Sequence, residues 1–254
     1  MVPDGLHVVD RTGSADTPVI LVHGAPDRSR NFAAVVELLD DLPLVTYDRR
    51  GYGRSVAATP PARNFADHAE DLIAILDGRR SVVVAQSVGC NVAMTAATMA
   101  PSLFGALGLW EPPTAWCDWW PVPDLRESVR HFVAATDTAL LGETFNRNIL
   151  GDDRWDALSE RTKDMLRREG AAFQVDMAAE LTAPFQFGDI TCPVVIGAGT
   201  ATTSGHLEGA RRLAHILNAD LFEVEGAGHF APTSNPGAWA ELVRRTIPST
   251  LASE

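Results

Sequence analysis

The sequence predicts an α/β protein: a mostly parallel, doubly wound sheet interrupted by one all-helical insertion. Three observations predict it. Short apolar runs bounded by turn residues alternate with stretches of helical period, the pattern of a parallel sheet covered on both faces. Residues 112–189 hold helical patterns and no convincing strand. A chain of 254 residues has room for one large domain, or for a core carrying one sizeable insertion.

In chain order, strands are expected at 6–10, 18–23, 44–48, 81–86, 105–110, 192–197 and 220–225. Between them, Phe65, Ala69, Leu72, Ile73 and Leu76 recur at helix spacing, with Gly78 where a C-terminal cap belongs. The nearly charge-free "VGCNVAMTAATMA" reads as a central helix stopped by Pro101. Asn235 and Pro236 open a last helix that buries Leu242 and Val243. An insertion between parallel strands lies over the carboxyl edge of the sheet, where α/β proteins bind ligands. The expected division is a core of 1–111 and 190–254 and a helical cap of 112–189, hinged near Pro112–Pro123 and Pro184–Gly188.

The formal charge of −12 disfavours nucleic acid and anionic membranes as partners. Cys90, Cys117 and Cys192 are few, odd in number and scattered. They suggest neither a disulfide framework nor a zinc site, and a cytoplasmic, reducing location is expected. The first ten residues lack a secretory pattern, and no apolar run nears the ~20 residues of a membrane span. Lys163 is the single lysine, which disfavours amine chemistry. Oligomeric state is open, with a homodimer one possibility.

The chemistry concentrates in three segments. "VVVAQSVGCNVAM" sets Ser87 between a buried strand and a helix, in a G-x-S-x-G-like turn with Ala85 at its first position. Such a hydroxyl lies at a helix N-terminus, whose free N–H groups favour developing negative charge. "ILVHGAPDRS" closes a strand with His23-Gly24, and the N–H groups of Ala25 and Val88 are expected to form an oxyanion hole. "VEGAGHFAP" sets His229 in a Gly-rich loop after the last strand, as the general base for Ser87. His23 and Asp48 are expected to be structural anchors. His206 stands apart from the other scattered histidines because its loop is near the site.

"HGAP", "YDRRGYGRS", "AQSVG" and "GAGHF" occur in an order and spacing that resembles the α/β-hydrolase superfamily over nearly the whole chain. The resemblance implies the α/β-hydrolase fold, a serine–acid–histidine triad in that chain order, an oxyanion hole and no cofactor. The commonest acid position of that family falls on Thr202, and the loop Gly199–Thr203 holds no carboxylate. A minority of members take the acid from the end of the strand after the nucleophile helix, which here ends at Glu111. A glutamate closing a buried strand has little reason to accept desolvation unpaired. Glu111 is therefore the expected acid, with Glu208 and Asp118 as weaker candidates.

Ser87 in place of aspartate argues against the dehalogenases and epoxide hydrolases of this fold, and Phe230 argues against hydroxynitrile lyases. Gly24, Pro26, Trp116, Trp119, Trp120 and Phe230 are expected beside a small hydrophobic ester or lactone, although tryptophan packing between cap and core explains those rings equally well. "GAGTATTSG", Glu-Pro-Pro and "GHFAPTSNP" are locally similar to zearalenone-type lactonases, which favours lactone opening. A C–C bond hydrolase, a cofactor-free lyase and a non-catalytic receptor on the same fold are the alternatives.

Overall fold

Among the described residues, β-branched and apolar runs form seven strands: β1 Val8–Asp10, β2 Val19–Val22, β3 Leu44–Tyr47, β4 Ser81–Gln86, β5 Phe104–Trp110, β6 Val194–Gly199 and β7 Asp220–Val224. The computed structural model describes residues 3–13, 15–121 and 123–249, the side chains of 123–125 excepted. The expected hinge near Pro112–Pro123 crosses Val122, which lies outside the described residues. The strands form one sheet in the order β1-β3-β2-β4-β5-β6-β7. β1 pairs antiparallel with β3, and the other five pairings are parallel. Every residue of β2, β3, β4 and β5 is buried, as expected for strands covered on both faces.

Among the described residues ten α-helices accompany the sheet: α1 Ala33–Leu38, α2 Phe65–Leu76, α3 Val88–Met99, α4 Pro123–Val133, α5 Thr138–Leu150, α6 Asp152–Asp156, α7 Glu160–Ala179, α8 Ser204–Leu217, α9 Ala231–Ser234 and α10 Pro236–Thr246. The period of two along β4 sorts side chains to opposite faces. Val83 and Ala85 join Leu72, Val92 and Leu213 in one core, while Val82 and Val84 join Phe32, Trp239 and Leu242 in the other. Asn235 caps α10 by accepting from Ala238 N at 3.2 Å, and Ala100 and Pro101 end α3.

β6 lies two residues later than the sequence suggests, at 194–199. Its last two residues, Ala198 and Gly199, lie beyond the expected end at Gly197, where strand propensity is low. A small residue is required at that end, since a Cβ on Gly199 would meet Ala227 O at 2.0 Å.

Between β5 and β6 the described residues form only helices, α4 to α7. α7 is tied to the core through buried charge. Arg49 pairs with Asp176 at 2.8 Å, and Arg28 with Glu169 at 2.7 Å. Glu180, the residue after α7, is buried, and its Oε1 has no hydrogen-bond partner among the described residues. Burial, with the Asp176 charge adding to it, pushes the Glu180 carboxyl up to about 8.

An unfolded chain releases that proton near the ordinary glutamate value of about 4.3, whereas the folded chain keeps it until about 8. Glu180 therefore makes stability fall as pH rises through this window. Glu180→Gln removes its share of the fall. Urea midpoints compared at about pH 5 and about pH 8 should drop less in the variant than in the wild type. An equally steep drop would contradict this account.

Candidate active site

One residue, Ser87, turns the chain from β4 into α3, with φ 51° and ψ −128°. A positive φ is costly for a residue with a Cβ. Four non-glycine residues adopt it among the described residues. Asp77 and Asn218 do so at helix C-caps, where left-handed backbone is common. The other two, Ser87 and Glu111, close the adjacent strands β4 and β5. Strain is thus concentrated at two neighbouring strand ends.

The turn at Ser87 is held from both sides. Ser87 N donates to Trp110 O at 2.9 Å. A Cβ on Gly89 would lie 2.5 Å from His23 O, so glycine is needed where α3 meets the loop after β2. Ala85, at the first position of the motif, is fully buried and its methyl joins the core. Gly24 passes close to the serine, and a Cβ there would come 3.2 Å from Ser87 Cβ. Ser87 is half-buried. Its hydroxyl has no hydrogen-bond partner among the described residues, and neither Ala25 N–H nor Val88 N–H donates to any of them. The hydroxyl and the Val88 N–H at this turn are thus unengaged among the described residues, and Gly24, the residue before Ala25, packs against Ser87.

Glu111 has φ 48° and no exposed surface. Its Oε1 accepts from Gly199 N at 3.0 Å. Its Oε2 accepts from Thr202 Oγ1 at 2.9 Å and from His229 Nδ1 at 2.7 Å. Burial works against the carboxylate, but His229, Gly199 and Thr202 together outweigh it and hold Glu111 below the ordinary carboxyl range. An ionised carboxylate only accepts hydrogen bonds, so His229 Nδ1 carries a proton and, in the neutral ring, Nε2 has a free lone pair.

His229 is anchored through its backbone as well, where its carbonyl accepts from Gln86 Nε2 at 2.9 Å. Its ring lies 4.6 Å from that of His206 and 5.3 Å from that of Phe230. His206 is held by Thr203 Oγ1 at 2.7 Å from Nδ1. Burial, and then the neighbouring His229, push His206 down to about 4, so it is neutral at neutral pH. The other candidate acids lie elsewhere. Asp118 is fully exposed, 3.9 Å from Arg126, and Glu208 is exposed.

The aromatic candidates divide. Phe230 touches His229 and is 47% exposed. Trp120 is buried, packs where Gly209 leaves no room for a Cβ, and meets the His206 ring edge-on at 6.2 Å. Trp119 lies beside Trp120 and under the Arg212 guanidinium. Trp116 meets Phe185 and Phe187 at 5.8 and 6.2 Å. Ala25 and Pro26 are half-buried. The two anchors are held as expected: Asp48 accepts from Ser29 and Arg54, and His23 bridges Gly24 O and Arg49 N. Two surface clefts, one around Arg28, Asp48 and Arg54 and one around Phe65, Thr95 and Ala179, are lined by neither Ser87 nor His229. Among the described residues, Glu111, His206 and His229 are the group that could hold a metal, with donor atoms within 4.8 Å of one another.

The Alpha/beta hydrolase family model matches residues 19–242. The chain belongs to the alpha/beta hydrolase family. As a member of that family it is similar to "Putative carbamate hydrolase RutD" of Caulobacter vibrioides, 27% identical over 271 residues and covering 94% of each chain. It is also similar to "Lipase LipV" of Mycobacterium tuberculosis, 32% identical over 113 residues, 43% of this chain and 42% of the lipase. A thermophilic esterase from Thermogutta terrifontis has the same fold, with TM-score 0.73 at 20% identity over 94% and 92% of the two chains. This hydrolase carries no acid in the loop after β6, yet that loop serves the carboxylate through Gly199 N–H and the Thr202 hydroxyl.

The depressed Glu111 carboxyl contributes stability that is present at neutral pH and lost as pH falls through its folded titration. Thr202→Val should raise that carboxyl and lower neutral-pH stability by about 1.5–3 kcal/mol, the worth of a hydrogen bond to a charged group. Carboxyl titration by carbon NMR and urea melts check both. An unmoved Glu111 resonance would contradict the assignment.

Proposed function

We propose that this hydrolase cleaves carboxylic esters, with hydrophobic lactones the favoured substrates, through an acyl-enzyme on Ser87. The observation that carries the reading is the 2.7 Å contact between Glu111 Oε2 and His229 Nδ1, one strand end away from the free Ser87 hydroxyl. Ser87 Oγ attacks the carbonyl carbon while His229 Nε2 takes its proton, a step worth about 10²–10⁴ in rate. Glu111 stabilises the imidazolium. The oxyanion is received by Ala25 N–H and Val88 N–H at the N-terminus of α3, each worth roughly 10²–10³. His229 then protonates the departing alcohol, which in a lactone stays tethered to the acyl group. Water, activated by the same imidazole, releases the acid.

The helical segment 112–189 acts in this reading as a cap over the sheet edge. Its Trp116, Phe185 and Phe187 cluster and the exposed Phe230 favour a substrate with apolar area. A second reading, carbamate cleavage, is favoured by the similarity to a protein named for that activity over 94% of the chain. It uses the same attack on a carbonyl and differs in the leaving group.

The test is turnover of p-nitrophenyl esters, aryl lactones, aryl carbamates and β-diketones by wild type, Ser87→Ala and Glu111→Gln. Ester and lactone hydrolysis is expected, with a loss of roughly 10⁴–10⁶ for Ser87→Ala and about 10²–10⁴ for Glu111→Gln. Carbamates turned over faster than esters would replace the ester reading. β-Diketone cleavage without ester cleavage would favour a C–C hydrolase. Turnover that survives in Ser87→Ala would overturn the mechanism.

A further inference from the structure

The peptide joining Gly24 to Ala25 carries the N–H proposed to receive the oxyanion, and its carbonyl is gripped from behind. Gly24 O accepts from Arg49 Nη2 at 2.8 Å and lies 2.8 Å from His23 Nδ1. His23 Nε2 accepts from Arg49 N at 2.8 Å, so Nδ1 holds the ring proton and donates to Gly24 O. Burial, with the Arg49 charge adding to it, pushes His23 down to about 3 and keeps it in that neutral form. Arg49 Nε also donates to His23 O at 3.1 Å. Two consecutive carbonyls before Ala25 are thus held by one guanidinium.

That guanidinium is held by the helical segment. Asp176 of α7 accepts from Arg49 Nη2 at 2.8 Å and Nη1 at 3.3 Å. Tyr52 Oη donates to the same carboxylate at 2.6 Å, and His68 Nε2 lies 3.3 Å from it. All four side chains are buried. A buried ion pair is weak evidence for stability, because apolar side chains of like volume often serve as well or better. Stability alone therefore gives little reason to aim a desolvated arginine at two loop carbonyls beside Ser87.

We propose that Arg49, locked by Asp176, is a positioning residue that fixes and polarises the Gly24–Ala25 peptide as an oxyanion donor. The inference rests on the serine mechanism above. The peptide is planar and trans, so Ala25 N–H points away from the gripped carbonyl. Hydrogen bonds to a carbonyl strengthen its own amide as a donor, and a fixed plane spares reorganisation when charge develops. Because Asp176 lies on α7, the donor is fully aimed only while that helix is docked on the core.

The experiment compares wild type, Ser87→Ala, Arg49→Lys, Asp176→Asn and Tyr52→Phe, with active sites counted by fluorophosphonate titration to completion. Per titrated site, Arg49→Lys and Asp176→Asn should acylate about 10–100-fold more slowly with a p-nitrophenyl ester, short of the loss from deleting a donor outright. Their KM should stay within about twofold. The Ki of an aryl trifluoromethyl ketone, which forms a tetrahedral oxyanion adduct with serine, should rise in step with the loss in kcat/KM. If those two variants do not fold, Tyr52→Phe, which deletes one hydroxyl, should show the same parallel losses on a smaller scale, roughly three- to tenfold. Variants that melt earlier but keep wild-type rates and ketone affinity per titrated site would reduce the network to a structural clip and overturn the inference. Wild type that takes no fluorophosphonate on Ser87 would overturn the serine mechanism and this inference together. Normal Ser87 labelling with unchanged variant rates would overturn the inference alone.

Discussion

A carboxylate with no exposed surface must be answered by donors, and the answer given to Glu111 organises the sheet edge. Its three hydrogen bonds come from β6, from the loop after β6 and from the loop after β7. Losing one partner of a buried charge is far costlier than losing a surface contact. The contact therefore registers three chain segments against β5, and it selects one tautomer of His229. The strained backbone at Glu111 and Ser87 belongs to the same constraint, since each side chain leaves its strand end through a conformation that only surrounding structure can hold.

A second, deeper layer supports the loop facing Ser87. His23, Arg49, Asp176 and Tyr52 form a water-poor polar cluster whose hydrogen bonds run from α7 to the peptide before Ala25. One layer holds the His229 ring through Glu111, and the other holds the Gly24–Ala25 peptide through its carbonyl. Both rest on buried charged side chains, Glu111 in one and Arg49 with Asp176 in the other.

Much of this was legible in the sequence, for physical reasons that differ by residue. The strands announced themselves because a parallel sheet buried on both faces needs unbroken apolar runs, as in "SVVVAQ". Ser87 was legible because a strand, a small-residue turn and a charge-poor helix must follow one another in the chain. Glu111 could be singled out by an absence: the Thr-rich loop after β6 offered no acid, while a glutamate stood at a buried strand end. The strand β6 runs past its expected end because Gly199, a poor strand former, is imposed there by the close approach of the Ala227 carbonyl. Thr202 as a donor, Gln86 as the clasp on His229 and His206 beside it follow from side-chain geometry and not from periodicity. The Arg49–Asp176 pair, 127 residues apart, carries no local signal, since an arginine in a turn and an aspartate on a helix ordinarily read as surface charge. The threonine at the family's acid position and the place of His206 in a loop near the site are the traces the sequence offers.

The most direct test of the central claim is the exchangeable proton between His229 and Glu111, observed by proton NMR with nitrogen-labelled histidine. A strongly downfield resonance coupled to the Nδ1 of His229 should be present in the wild type, lost or moved well upfield in Glu111→Gln, and unchanged in Glu208→Gln and Asp118→Asn. A resonance that survives in Glu111→Gln and vanishes with either of the other two acids would contradict the account.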